Sequence, residues 1–158
     1  MASVRDIALH DSGPALSDRD IDVAERESGS PIPGAVRSFY KSRNGGYPDR
    51  RFFHDGMYES ELNRIIPMSA GEAVDPDNMV EIYHLMTREG HLPVGHIPFG
   101  EDSGGNFYLI DPSNGHVWYM PMDEWHHHES AVENWQRSGR FVSPSFEAFL
   151  DALTDEAM

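Results

Sequence analysis

The stretch "NFYLIDPSNGHVWYM", residues 106–120, constrains the possible folds of this chain more than any other part of it. Residues 106–111 and 116–120 are rich in the aromatic and β-branched residues that favour strands. The Asn114-Gly115 pair between them is typical of hairpin turns, because both residues tolerate positive backbone angles. Large apolar side chains occur on both faces of the two segments, so we expect them to lie centrally in a sheet.

Two helices are predicted before this hairpin. In residues 16–29, Ser17 and Asp20 are spaced to form a capping box, in which each side chain satisfies an exposed amide. Pro33 fits the first turn of a second helix, and Asn44-Gly45-Gly46 ends that helix. The apolar face of the second helix is predicted to carry Val36, Phe39 and Tyr40.

Short extended segments are predicted between these helices and the hairpin. Residues 50–56 and 63–69 are brief apolar runs that suit strands or extended edges. Residues 91–100 also favour an extended conformation. Pro93 and Pro98 lack an amide for the strand ladder, so this segment is expected to be irregular or to lie at a sheet edge.

Two further helices are indicated by their end signals. Residues 75–90 have apolar side chains at helical spacing, and Pro76 is predicted to open this helix. Ser143 is predicted to cap a final helix that starts at Pro144. Residues 121–142 carry no clear pattern, and we expect them to be part helix and part surface excursion.

These elements predict a single α+β domain. Its parts are two N-terminal helices, a mostly antiparallel twisted central sheet with one intervening helix, and a C-terminal closing helix. We expect a loosely ordered lead-in over residues 1–15, the domain over residues 16–154, and a short tail over residues 155–158.

Charge and composition exclude several classes of function. The chain has 27 acidic and 12 basic residues, a net charge of −15, which repels a nucleic-acid backbone and attracts a basic protein. It has no cysteine, so disulfides and thiolate metal sites are excluded. No secretory signal and no apolar stretch that could span a bilayer is evident, so we expect a soluble cytoplasmic protein without membrane contact.

Residues 102–105, Asp-Ser-Gly-Gly, look like the surroundings of a serine protease nucleophile. The protease motif has a glycine before the Asp-Ser pair, whereas Glu101 stands here, and no histidine is in a context that marks it as the base. A phosphate-binding loop would need a lysine after its last glycine, and this loop has none. We therefore interpret the segment as a turn into the next strand.

Three adjacent histidines followed by Glu129 supply the donor types that zinc prefers. Consecutive side chains point in different directions, so at most two of the three imidazoles can readily reach one ion. His126 and His128 are the candidate ligands of such a site, which would need a further residue to complete it. The interpretation that we favour is a polar surface segment without a metal.

The order of the predicted elements resembles the SUKH superfamily, in its Smi/Knr-like branch. The two opening helices of that family are matched by "LSDRDIDVAERESGSPIPGAVRSFYKSRNGGYP". Its central strands are similar to "LPVGHIPFGEDSGGNFYLIDPSNGHVWYMPMDE", and its closing helix to "VSPSFEAFLDAL". The likeness runs in order over about residues 16–154, and residues 121–142 fit it least.

The resemblance implies a binding protein rather than an enzyme, without a cofactor. Bacterial members look like immunity proteins of polymorphic or contact-dependent toxin systems, which neutralise a cognate toxin by occlusion. Many such toxins are nucleases and therefore basic, which suits the charge of this chain. A regulatory adaptor, like the fungal cell-wall-assembly regulators, is the alternative within the family. A zinc-dependent or hydrolytic enzyme that uses the histidines and Ser103 is a second class.

A toxin-binding surface is predicted near the hairpin and the variable segment 121–142. The residues assigned to it are acidic, apart from one tryptophan that suits an interface anchor. They are Glu101, Asp102, Asp111, Asp123, Glu124, Trp125 and Glu129.

Overall fold

The computed structural model describes residues 7–54, 59–68, 78–92 and 95–156. The described helices are α1 (Asp18–Ser28), α2 (Gly34–Ser42), α3 (Met79–Arg88), α4 (Ala131–Ser138) and α5 (Phe146–Asp151), with a 3-10 turn at Met122–Glu124. The described strands are β1 (Leu9–His10), β2 (Tyr47–Pro48), β3 (Phe52–His54), β4 (Glu59–Glu61), β5 (Arg64–Ile65), β6 (Ile97–Glu101), β7 (Phe107–Ile110), β8 (Val117–Met120) and β9 (Arg140–Ser143).

The predicted hairpin lies at the centre of an antiparallel sheet with the order β5-β6-β7-β8-β9. β7 is the third of the five strands and β8 lies beside it, so the predicted central position is confirmed. Within the hairpin, Ile110 pairs with Val117 and Phe107 pairs with Met120. Two-stranded sheets, β1-β2 and β3-β4, flank it. The connection between β7 and β8 is longer than a two-residue turn, and within it only Gly115 has a positive φ, of 77°.

β6 is irregular and internal, so the first of the two alternatives expected for this segment, an irregular strand, is confirmed, and the second, an edge position, does not apply. It pairs with β7 along its length, and the register shifts between Pro98 and Gly100. On its other side, the short strand β5 pairs only with Gly100 and Glu101. Pro98 is tolerated because it lies beyond the end of β5, where no ladder amide is needed. Pro93 lies outside the described residues.

The first two helices follow their sequence signals closely. Ser17 and Asp20 form the predicted capping box at the start of α1. α2 begins at Gly34, one residue after Pro33, and its apolar face is buried as predicted. The chain after α2 passes so close to β5 that a Cβ at Gly45, where φ is 77°, would lie 2.6 Å from the carbonyl oxygen of Ile65. Glycine is therefore required there by both sterics and backbone angle.

The starts of the other two predicted helices need correction. α3 begins at Met79, after the capping side chain of Asn78, whereas Pro76 lies outside the described residues. α5 begins at Phe146 and is capped by Ser145, because the predicted cap Ser143 is the last residue of β9.

The main core lies on one face of the five-stranded sheet. α1, α2 and α5 contribute buried side chains that pack on the inward residues of β6, β7 and β8. The segment before α1, part of the expected lead-in, also contributes, since Ile7 is buried and β1 pairs with β2. An aromatic cluster of Phe53, Phe99, Tyr108 and Phe149 connects α5 to the sheet.

The second face of the sheet is covered by the segment that the sequence left unassigned. Leu109 and Met120 point to this face and are fully buried beneath Trp118, Trp125 and Trp135. The 3-10 turn and α4 build this layer, which explains why β7 and β8 are apolar on both faces. The α+β class is confirmed, and α4 is the helical part that was expected within residues 121–142.

In the described parts of the chain, each helix is too short or too polar to cross a bilayer.

Candidate functional site

Carboxylates from three parts of the chain meet at one end of the sheet. β6 ends at Glu101 where β7 begins and β8 ends, because the three strands are antiparallel neighbours. The turn after β6, the 3-10 turn after β8, and the end of β4 are therefore brought together. We call this surface the acidic end; its residues are Glu61, Glu101, Asp102, Asp123 and Glu124.

Asp102 holds this end of the sheet together. One carboxylate oxygen accepts hydrogen bonds from the amides of Gly104 and Asn106, at 2.9 and 2.8 Å. The other accepts from the Asn106 side chain and, at 2.6 Å, from the hydroxyl of Tyr119. Burial and then this bond to Asp102 raise the pKa of Tyr119 well above its ordinary value, so the hydroxyl stays protonated as a donor. The turn predicted at residues 102–105 is thus fixed by its own aspartate.

Replacing Asp102 with alanine is expected to lower the free energy of unfolding by about 1–2 kcal/mol, because hydrogen bonds to a carboxylate are stronger than neutral ones. Urea unfolding measures this change. Asp123→Ala is the matched control, since Asp123 is exposed and its removal breaks no contact of the described residues. Equal stability of the two variants would show that Asp102 does not hold the turn.

Arginines neutralise part of the acidic end. Nε of Arg64 lies 2.8 Å from Oε1 of Glu101, and Nη2 of Arg51 lies 3.1 Å from Oε2 of Glu61. Nη2 of Arg140 lies 3.4 Å from Oε2 of Glu124. Five carboxylates against three guanidinium groups leave two negative charges on this surface. Asp123 is exposed and has no ion-pair partner among the described residues. It is therefore the carboxylate most available to a positive partner.

Asp111 does not belong to this surface. It follows β7, at the opposite end of a four-residue strand about 13 Å long. Its carboxylate accepts hydrogen bonds from the amide and hydroxyl of Ser113 and lies 3.8 Å from His96. Burial acts to raise the pKa of Asp111, but the bonds from Ser113 and nearby histidines outweigh it and lower the pKa. Asp111 shapes the hairpin turn.

The hydroxyl of Ser103 donates to the carboxylate of Glu61 at 2.7 Å. This bond joins residues 42 positions apart, and the catalytic pattern of a serine hydrolase would require a histidine in place of the glutamate. Glu61 was missed by the sequence reasoning. No local signal marks it, since only the pairing of β4 with β3 and of β5 with β6 brings it to this end.

Glu129 and Trp125 lie on the layer that covers the second face of the sheet. Glu129 accepts a hydrogen bond from Nδ1 of His126 at 2.6 Å and another from Arg137. Partial burial acts to raise the pKa of Glu129, but these two partners lower it below its ordinary value. Trp125 is half-buried against the sheet, 5.6 Å from the ring of His91, so only part of its indole is open to a partner.

The candidate ligands predicted from the histidine run converge in the structure. One ligand atom from each of His126, His128 and Glu129 lies within 4.8 Å of the others, while His127 turns towards His91. Two of the three imidazoles therefore lie close together, with a carboxylate as the third member of the cluster. The two histidines are exposed and Glu129 is half-buried.

Comparison with known proteins identifies one family. The model of the family described as SMI1 / KNR4 (SUKH-1) matches residues 15–152, from the residues before α1 to the end of α5. A search of curated protein sequences gives no match. The matched range includes the whole five-stranded sheet and the layer that covers its second face.

Proposed function

The chain belongs to the SMI1 / KNR4 family (SUKH-1), and from this premise we propose that it is an immunity protein. In this proposal it binds a cognate toxin domain and neutralises it by occlusion, without catalysis. The family match carries the proposal, because this family is generally one of non-enzymatic immunity and regulatory proteins. The proposed toxin is a basic, nuclease-like domain of a bacterial polymorphic or contact-dependent system.

Charge supports a basic partner. The chain carries a net charge of −15, and arginines compensate only part of the acidic end. A surface of one sign speeds the encounter with a partner of the other sign by long-range attraction. Nuclease domains are basic because they bind phosphate backbones, so an acidic inhibitor is complementary to their active-site face.

The carboxylates of the acidic end differ in how fully other groups of the protein occupy them. Asp102 uses both of its oxygens inside the protein, and Glu101 is held by Arg64. Asp123 and Glu124 are exposed on the 3-10 turn that projects beyond β8. We therefore propose these two as the first contacts of a toxin, with part of Trp125 beside them.

The variant Asp123→Asn with Glu124→Gln is expected to slow association with the toxin roughly threefold to tenfold, because it removes charges that steer the encounter. The salt dependence of the association rate should also decrease. Stopped-flow or surface-based kinetics at several salt concentrations measures both effects. The partner is first isolated by a tagged pull-down from the native cell at low and high salt.

A matched control removes two charges elsewhere. Glu27 and Glu81 are exposed on α1 and α3, and the double change Glu27→Gln with Glu81→Gln leaves the acidic end intact. If this control slows binding as much, total charge and not the acidic end drives association. If neither variant has an effect, electrostatic steering is contradicted.

The pull-down also separates the two functions open within the family. A single basic toxin-like protein, less well retained at high salt, supports the immunity function. An ordinary host assembly that is retained in its place contradicts the immunity proposal and supports a regulatory adaptor.

A further inference from the structure

A short turn on the second layer brings metal-binding side chains together. The turn runs from His126 to Glu129, and the amide of Glu129 donates to the carbonyl of His126 to close it. The rings of His126 and His128 are stacked 5.5 Å apart at an angle of 20°, on the same side as the Glu129 carboxylate. His126 and His128, two positions apart in this turn, thus place their imidazoles beside the carboxylate of Glu129.

A buried asparagine fixes the backbone of this turn. Asn134 of α4 is fully buried, and its side-chain oxygen accepts from the amide of His126 at 2.7 Å. Its side-chain nitrogen donates to the carbonyls of His126 and Ser130, both at 3.0 Å. The backbone that carries the histidines is therefore held before any ion binds, which lowers the entropic cost of assembling a site.

An arginine orients the carboxylate. Arg137 donates to Oε1 of Glu129, and it is itself held by the carbonyl of Glu124 and the side chain of Asn134, both at 2.8 Å. Carboxylate ligands of metals are commonly hydrogen-bonded in this way by surrounding groups, which fixes their direction. The second oxygen of Glu129 has no hydrogen bond within the described part of the chain and is free to face an ion.

We propose that His126, His128 and Glu129 bind a divalent transition metal ion. Zinc is the ion that this set of ligands suits best. Two imidazoles and one carboxylate are a common three-residue set for zinc, and the fourth position is then left to water or to a group of a partner. Tetrahedral coordination with bonds of about 2.0–2.2 Å brings ligand atoms to roughly 3.4 Å from one another. The ligand atoms lie within 4.8 Å, so rotation of exposed side chains closes the site. This inference does not rest on the proposed immunity function.

The first test is calorimetric titration of the untagged protein with zinc sulfate. The wild-type chain is expected to bind one equivalent, and His126→Asn and His128→Asn are each expected to weaken binding at least about tenfold. His127→Asn is the matched control: it changes the histidine between the two ligands, whose ring faces His91 instead. Binding that His127→Asn weakens as much as the other two, or no zinc binding by the wild type at micromolar concentrations, overturns the proposal.

A second measurement guards against loss of folding. Zinc is expected to raise the unfolding temperature of the wild type and of His127→Asn, because a ligand that binds only the folded state stabilises it. His128→Asn should unfold at the same temperature as the wild type without zinc, since His128 is exposed, and should gain no stability from zinc. Glu129→Gln should also gain no stability from zinc. Glutamine keeps an acceptor oxygen for the hydrogen bonds of this turn but removes the negative charge that would bind the ion. A zinc-dependent rise in either variant contradicts the assigned ligands.

Discussion

Asn134→Ala is expected to lower the free energy of unfolding by about 2–4 kcal/mol, because it removes a fully buried side chain that makes four hydrogen bonds to the backbone of one turn. The Asn134 side chain serves the amide of His126 and the carbonyls of His126, Glu129 and Ser130. None of these partners is satisfied by a methyl group. The loss is expected to be largest in the layer over the second face of the sheet.

Urea unfolding followed by tryptophan fluorescence measures this effect, since Trp125 and Trp135 lie in that layer and Trp118 of β8 packs in the same apolar cluster. Gln136→Ala is the matched control, because Gln136 is exposed on the same helix. We expect the control to unfold close to the wild type. If Asn134→Ala is no less stable than this control, the hydrogen bonds of Asn134 do not hold the layer in place.

Phe149→Ala is expected to destabilise the main core by about 3–5 kcal/mol, through lost apolar contacts and the cavity left behind. The Phe149 side chain is fully buried, and its ring lies 5.0 Å from that of Tyr108 and 5.4 Å from that of Phe53. These rings come from α5, β7 and β3, so the cavity would open where three elements meet. Chemical denaturation with a full baseline measures the change.

Phe141→Ala provides the comparison for a phenylalanine outside the core. Phe141 is 47% exposed on the edge strand β9, so its removal should cost about 1 kcal/mol or less. Similar losses in the two variants would contradict the central role of the aromatic cluster. A loss confined to Phe149→Ala would support it.

Local sequence signals predicted the helices and strands whose ends and apolar faces are set by residues a few positions apart. The capping box of Ser17 and Asp20, the strand pair around Asn114-Gly115 and the buried stripe of α5 were all visible in the sequence. α4 had a comparable signal, because Ser130 and Glu133 form a capping box. The sequence predicted only that part of residues 121–142 is helical, because this helix is short and polar on most of its surface.

The arrangement of the candidate site could not be predicted from the sequence in the same way. The sequence proposed Asp102 and Asp111 as equivalent contacts, but they lie at opposite ends of β7 and each shapes its own turn. Glu61 joins Ser103 only through strand pairing. The sequence therefore named four of the five residues of the acidic end, while their division into structural and exposed groups required the fold.

The sequence by itself determined the α+β class, the central hairpin and the family resemblance, because periodicity, caps and turn residues act over a few positions. Only the tertiary structure decided what covers the second face of the sheet and which carboxylates share a surface, and it added Glu129 to the two histidines that the sequence had named. Those arrangements depend on contacts such as the four hydrogen bonds of Asn134 to the turn at residues 126–130. They arise when packed layers bring separate segments together, and no local pattern encodes them.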